Sequence, residues 1–128
     1  AGFIIPEFNM CRDGIMAGAI ISSSDEKVIE ECMITASKYK VIRSKIPIDS
    51  SKYSSLIGKL EDKYKGDAYD LLKLDGLKVL VDDNSWILIR PSNTEHALRI
   101  SIESEPDKVS ELYKNTKERV ISIYEQIK

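Results

Sequence analysis

Residues 86–100 read WILIRPSNTEHALRI and place an apolar strand on each side of a short polar turn. The turn offers a guanidinium group, two hydroxyls, a side-chain amide and consecutive backbone N–H groups, from Arg90, Pro91, Ser92, Asn93 and Thr94. Arginine can bind two oxygens of a phosphate at once, and successive N–H groups in a turn form a nest for anions. The same residue types are also ordinary in hairpin turns. The residues alone therefore leave open a plain hairpin connection or a phosphate site.

The composition limits the class of protein. The chain has 128 residues, of which 42% are hydrophobic, enough for one domain and part of another. Its net charge of −2, from 19 basic and 21 acidic residues, argues against a general nucleic-acid binder. The longest apolar run, residues 15–21, is too short to cross a bilayer. From the charge and the short apolar run we expect no nucleic-acid or membrane partner. With two cysteines and one histidine, we expect reduced thiols, no metal site and a cytoplasmic protein.

Hydrophobic periodicity predicts one compact domain over residues 38–128. Strands are expected near residues 39–48, 77–81, 86–89 and 97–103, with Pro47 at a strand end or sheet edge. Alternation along the last strand turns Leu98, Ile100 and Ile102 towards the core and Arg99 away from it. Amphipathic helices are expected over about 49–65, ending near Gly66, and from Pro106 onward. We therefore predict an α+β fold, an antiparallel four-stranded sheet with two helices on one face.

The first 37 residues form a less defined piece. A strand end is expected over residues 3–5, and a helix over residues 14–21 begins after Asp13 as its cap. That helix is apolar nearly all round, so it is expected to be buried. A second helix is expected to start with Ser23 and Glu26 at capping-box spacing. Because the chain opens at Ala1 on an apolar stretch, we expect it to be part of a longer protein.

The order of residues in segment 86–100 resembles the C-terminal domain of the α-D-phosphohexomutases, the phosphoglucomutases and phosphomannomutases. Their usual loop reads Arg-Pro-Ser-Gly-Thr-Glu-Pro, often with an arginine a few residues later. Here Asn93 replaces the glycine, and asparagine tolerates positive φ better than most residues. His96 replaces the second proline. The resemblance covers about the last ninety residues well and the first 37 loosely, through residues 3–5, Asp13 and Gly14.

The resemblance implies both an architecture and a role. It implies a TATA-box-binding-protein-like C-terminal domain over residues 38–128, preceded at 1–37 by the end of an α/β domain. It implies part of an isomerase that interconverts hexose 1-phosphate and hexose 6-phosphate, with Mg²⁺ in the parent enzyme and a hexose 1,6-bisphosphate intermediate. The residues implied to bind the non-reacting phosphate are Arg90, Ser92, Asn93, Thr94 and Arg99.

The catalytic parts of such an enzyme have no counterpart in this sequence. It contains no Asp-x-Asp-x-Asp metal motif and no phosphoserine loop, so no catalytic residue is assigned and the chain alone is expected to be inactive. The expected partners are a hexose phosphate and the remaining domains of the parent enzyme. The sequence leaves open which hexose is used, the oligomeric state, and any role of Arg12 or His96.

Two other interpretations remain. The chain could be a small α+β module that binds peptide or RNA on its sheet face, or a purely structural unit. The loops lack the glycine-rich and aromatic patterns of RNA-binding modules, and the nearly neutral charge also counts against RNA. Asp82 and Asp83 could suggest a metal ion, but hairpin-turn chemistry explains them better.

Overall fold

The computed structural model describes residues 3–127, and the chain divides into two compact units, residues 1–37 and 38–128. The first unit contains helix α1, Gly14–Ser23, and helix α2, Glu26–Ser37. The carboxylate of Asp13 accepts a hydrogen bond from the backbone N–H of Met16 at 2.8 Å, so the predicted cap of α1 is confirmed. No helix in the described part of the chain is both long and apolar enough to cross a membrane.

Two predictions about the boundaries in the first unit are wrong. Residues 3–5 form no strand, and Ile5 makes only an isolated bridge with Asn9. Helix α2 begins two residues later than the capping-box pattern predicts, because the carboxylate of Asp25 accepts from the N–H of Lys27 at 2.8 Å. The hydroxyl of Ser23 instead donates back into α1.

The prediction that α1 is buried is also wrong. None of its residues is buried, and Ile15 is 88% exposed. Two short helices supply too little surface to enclose an apolar helix, which needs a sheet or further helices around it. The first unit therefore exposes apolar side chains.

The second unit is built on one antiparallel sheet of five strands in the order β1-β5-β4-β3-β2. The strands are β1 Lys40–Pro47, β2 Asp70–Lys73, β3 Leu77–Asp82, β4 Ser85–Pro91 and β5 Ala97–Ser104. The sheet thus has one strand more than predicted. The extra strand, β2, has four residues and only one half-buried side chain, so it leaves little pattern in the sequence. Strand β1 lies at an edge, where Pro47 is tolerated.

Two helices cover one face of this sheet, as predicted. Helix α3, Tyr53–Gly66, follows a short 3₁₀ turn, Ser50–Lys52, and packs on β2 and β3. Helix α4, Val109–Glu125, packs on β1, β5 and α3. Fully buried side chains of both helices and the sheet form one core; they include Leu56, Leu60, Leu77, Val79, Ile89, Leu98, Ile100, Ile102 and Val120. The α+β architecture is therefore confirmed.

The ends of the two helices differ from the prediction. Helix α4 begins at Val109, because residues 106–108 form a turn in which the carbonyl of Glu105 accepts from the N–H groups of Lys108 and Val109. Gly66 lies inside α3, and the positive φ after the helix belongs to Ala68, at 62°.

The side chain of Arg119 on α4 has two partners on or just after α3. Its guanidinium donates to Asp67 at 2.6 Å and lies over the ring of Tyr64, 4.5 Å from the centroid. Tyr64 is buried in the core, so these contacts fasten α4 to the end of α3.

We predict that Ile100→Ala lowers the free energy of unfolding by about 2–5 kcal/mol, because the fully buried side chain leaves a cavity at the centre of the sheet. Urea unfolding followed by circular dichroism measures the change. The control is Leu74→Ala, at a position 96% exposed, which should stay within about 0.5 kcal/mol of the parent chain. Equal effects of the two variants would contradict this packing.

Candidate functional site

The loop of residues 92–96 joins β4 to β5 and is closed by its own backbone. The N–H of Ser92 donates to the carbonyl of Ala97 at 2.9 Å, and the N–H of Ala97 donates to the carbonyl of Glu95 at 2.8 Å. Within residues 3–127, the N–H groups of residues 93–96 donate to no protein acceptor. Several unengaged N–H groups in one loop are donors that an anion could accept from.

The Glu95 side chain, by contrast, is held from outside the loop. The ammonium of Lys45 on β1 lies 2.6 Å from its carboxylate and holds the pKa of Glu95 below the usual value. The hydroxyl of Tyr53, the first residue of α3, donates to the Glu95 carbonyl at 3.4 Å. The only carboxylate of the loop is thus neutralised by Lys45. Neither Lys45 nor Tyr53 could be assigned to the loop from the sequence, because the register of β1 brings in Lys45 and the packing of α3 brings in Tyr53.

A row of cations crosses the sheet beside the loop. Arg90 on β4 is the direct partner of Arg99 on β5, and Arg99 is the direct partner of Lys45 on β1. Their neighbours along the strands, including Ile89, Leu98 and Ile100, point into the core, so this cation row lies on the face opposite the helices. Like charges directly opposite one another destabilise a sheet. The side chain of Arg90 makes no ion pair or hydrogen bond with any described residue, so the row favours an anion.

Two buried polar atoms at the site lack hydrogen-bond partners among the described residues. They are the Oγ of Ser92, whose residue is 8% exposed, and the Nε of Arg99. A buried donor left unpaired costs about 1–3 kcal/mol, which an acceptor oxygen would recover. A third such atom, the Oγ of Ser44, belongs to the core-facing side of β1 and is not part of the site.

Two cavities near the loop have Asn93 as a common lining residue. The smaller, about 240 Å³, is lined by Ser50, Ser92, Asn93, Thr94, Glu95 and His96. The larger, about 710 Å³, lies between α3, the turn at residues 73–76 and the start of the loop, and includes Arg90 and Asn93. The structure thus brings Ser92, Asn93 and Thr94 around one cavity and Arg90 beside the other. Arg99 lines neither of these two cavities and adjoins the site through Arg90.

Gly76 sets how closely the 73–76 turn approaches Arg90. Its φ of 145° lies in a region that L residues rarely adopt. A Cβ at this position would lie 2.7 Å from the Cβ of Arg90 and would also collide with the carbonyl oxygen of Ile89. This contact depends on the folded chain, so the sequence alone does not indicate it.

The described residues do not fit a magnesium ion. In the range 3–127, no three His, Cys, Asp or Glu side chains come together in a way that could hold a metal. The carboxylate of Asp82 accepts from the N–H of Asn84 at 2.8 Å, which lowers its pKa and fits a hairpin turn.

The fold and the loop define a class: a small α+β domain with an antiparallel sheet and, between two central strands, a loop with several unengaged N–H groups. Comparison with known families gives the particular one. Residues 52–117, about half of the chain, match the family described as phosphoglucomutase/phosphomannomutase, C-terminal domain. The chain belongs to the phosphoglucomutase/phosphomannomutase family.

Similar proteins carry a more specific name. The chain is 32% identical over 122 residues to a "Probable phosphoglucosamine mutase" of Methanobrevibacter smithii, covering 91% of this chain and 27% of that protein. It is 30% identical over 130 residues to a protein of the same name from Pyrococcus horikoshii, covering 98% and 29%. The chain thus spans just over a quarter of the length of these curated relatives.

We predict that Gly76→Ala lowers the free energy of unfolding by about 1–3 kcal/mol, because a Cβ at this φ is strained and pushes on Arg90 and Ile89. Thermal and urea unfolding measure the change. The matched control is Gly58→Ala inside α3, where a Cβ meets no atom within 4 Å and helix propensity improves by up to about 1 kcal/mol. The two variants should therefore change stability in opposite directions, and a neutral Gly76→Ala would contradict the described turn.

Proposed function

We propose that this chain is the C-terminal part of a phosphohexomutase and that its 92–96 loop, with Arg90, binds the non-reacting phosphate of a hexose phosphate. The observation that carries the proposal is the arrangement of Arg90, Arg99 and Lys45 beside a loop with unengaged N–H groups. Membership of the phosphoglucomutase/phosphomannomutase family supports the same assignment.

Each residue has a distinct part in this proposal. Arg90 contributes two parallel N–H donors to two phosphate oxygens. Ser92 and Thr94 donate through their hydroxyls, and Asn93 through its backbone N–H or its amide. Arg99 adds positive charge next to Arg90. Lys45 neutralises the carboxylate of Glu95, which would otherwise repel the anion.

The proposed reaction moves a phosphoryl group between the two ends of a hexose through a bisphosphate intermediate. Catalysis of phosphoryl transfer depends mostly on positioning and on neutralising charge. A loop that recognises only the phosphate can hold the sugar in either of its two orientations, since it does not read the ring. This chain would therefore bind and orient, and we expect it to catalyse nothing alone.

The names of the similar proteins favour glucosamine phosphate over glucose or mannose phosphate as the substrate. Under this proposal, residues 38–128 are the phosphate-binding domain and residues 1–37 are the end of the domain before it. The exposed apolar side chains of α1, such as Ile15 and Ile21, are consistent with packing against other parts of a larger cytoplasmic enzyme.

We predict that Arg90→Ala weakens binding of glucosamine 6-phosphate to this chain by about tenfold to a hundredfold, because it removes a charge-assisted pair of hydrogen bonds. A titration followed through the amide resonances of residues 92–96 measures the dissociation constant. Arg90→Lys should recover only part of the affinity, since lysine lacks the planar fork.

The matched control removes a positive charge far from the loop. Lys117→Ala, at an exposed position of α4, should leave the dissociation constant within about twofold, because exposed charges are screened by salt. If Arg90→Ala binds as tightly as Lys117→Ala, Arg90 does not contact the phosphate. If a short RNA shifts the sheet resonances while the sugar phosphate shifts none, the chain is a binding module of another kind.

A further inference from the structure

The smaller cavity contains a titratable group that the proposed function does not use. His96, the single histidine of the chain, lines it together with Ser92, Asn93 and Thr94. Its backbone is fixed, because the carbonyl of His96 accepts from the N–H of Ile48 at 3.2 Å. Its side chain is exposed at the cavity mouth, so it can exchange protons with solvent.

A second polar group reaches the cavity from another element. Ser50, the first residue of the 3₁₀ turn before α3, lines it opposite the loop. Glu95 also lines this cavity, and its carboxylate is paired with Lys45. The hydroxyl, amide and imidazole groups of the other lining residues are of types that can donate hydrogen bonds to an oxyanion, and the imidazolium form also adds positive charge.

We propose that His96 is a further binding residue of the phosphate site, whose protonated imidazole, with the Ser50 hydroxyl, strengthens the hold on a sugar phosphate as the pH falls. The proposal rests on the proposed function and extends it, since it assigns a pH dependence to the same site.

The carboxylates near His96 do not produce this dependence themselves. Asp49 lies close enough for its charge to interact with His96, and its pKa is lowered by hydrogen bonds from Ser51. The pKa of Glu95 is lowered by its ion pair with Lys45. Both carboxylates therefore stay ionised between about pH 5.5 and pH 8.

The test uses sulfate as the probe, because sulfate remains a dianion across this range while a phosphate monoester changes its own charge near pH 6. The dissociation constant for sulfate is measured on the 128-residue chain through the amide resonances of Asn93 and Thr94 at about pH 5.5 and pH 8. We expect binding about threefold tighter at the lower pH, the size of an exposed charge interaction. The imidazole proton signal of His96, unique in the chain, should shift when sulfate is added.

His96→Gln is the matched variant, since it keeps a hydrogen-bond donor and the backbone contact to Ile48 but removes the titration. It should bind sulfate equally at both pH values, and Ser50→Ala should weaken binding at both. If His96→Gln keeps the pH dependence, or the parent chain has none while Asn93 and Thr94 still respond, this inference is wrong and the loop site stands. If sulfate moves no resonance of the loop at either pH, the proposed phosphate site fails, and this inference with it.

Discussion

Electrostatic repulsion within the sheet is the constraint on which the site depends. Arg90 faces Arg99 across one strand pair, and Arg99 faces Lys45 across the next, so three positive side chains stand side by side. Within the described residues only Glu95 offsets this charge by an ion pair, and it does so at one end of the row, through Lys45. A sheet arranged for stability alone would alternate the signs of such a row. The arrangement therefore supports the proposal that an anion binds beside Arg90.

The rest of the domain keeps this repulsive arrangement in place. The opposite face of the same strands carries fully buried side chains, including Ile89 and Ile100, and their burial fixes the register that aligns the cations. A register shift of one residue would turn these side chains towards solvent. Gly76 lets the neighbouring turn approach Arg90, and Tyr53 and Lys45 hold Glu95. The cost of the unpaired charges is thus offset by the packing of the core.

Much of this could be predicted from the sequence, because the patterns involved are local. Alternation in residues 97–103 gave the buried face of β5, and the polar turn after Trp86–Ile89 located the loop. The burial of α1 was predicted wrongly, since periodicity reports an apolar surface but not what covers it. Strand β2 was too short to leave a pattern, and Lys45 and Ser50 reach the loop only through the folded chain. Residues such as Asn93 and Thr94 are ordinary in hairpin turns. The sequence alone therefore does not distinguish a plain hairpin from a phosphate site, because it does not show whether their N–H groups have hydrogen-bond partners.

If Arg90 and Arg99 bind a phosphate together with the loop, both guanidinium groups must respond to the ligand. The most direct test observes the guanidinium Nε–H resonances of the arginines while glucosamine 6-phosphate is added. The signals of Arg90 and Arg99 should move together with the amides of residues 93–96, and those of Arg43 and Arg119 should stay in place. Unchanged signals at Arg90 and Arg99, or equal shifts at every arginine, would contradict this joint binding.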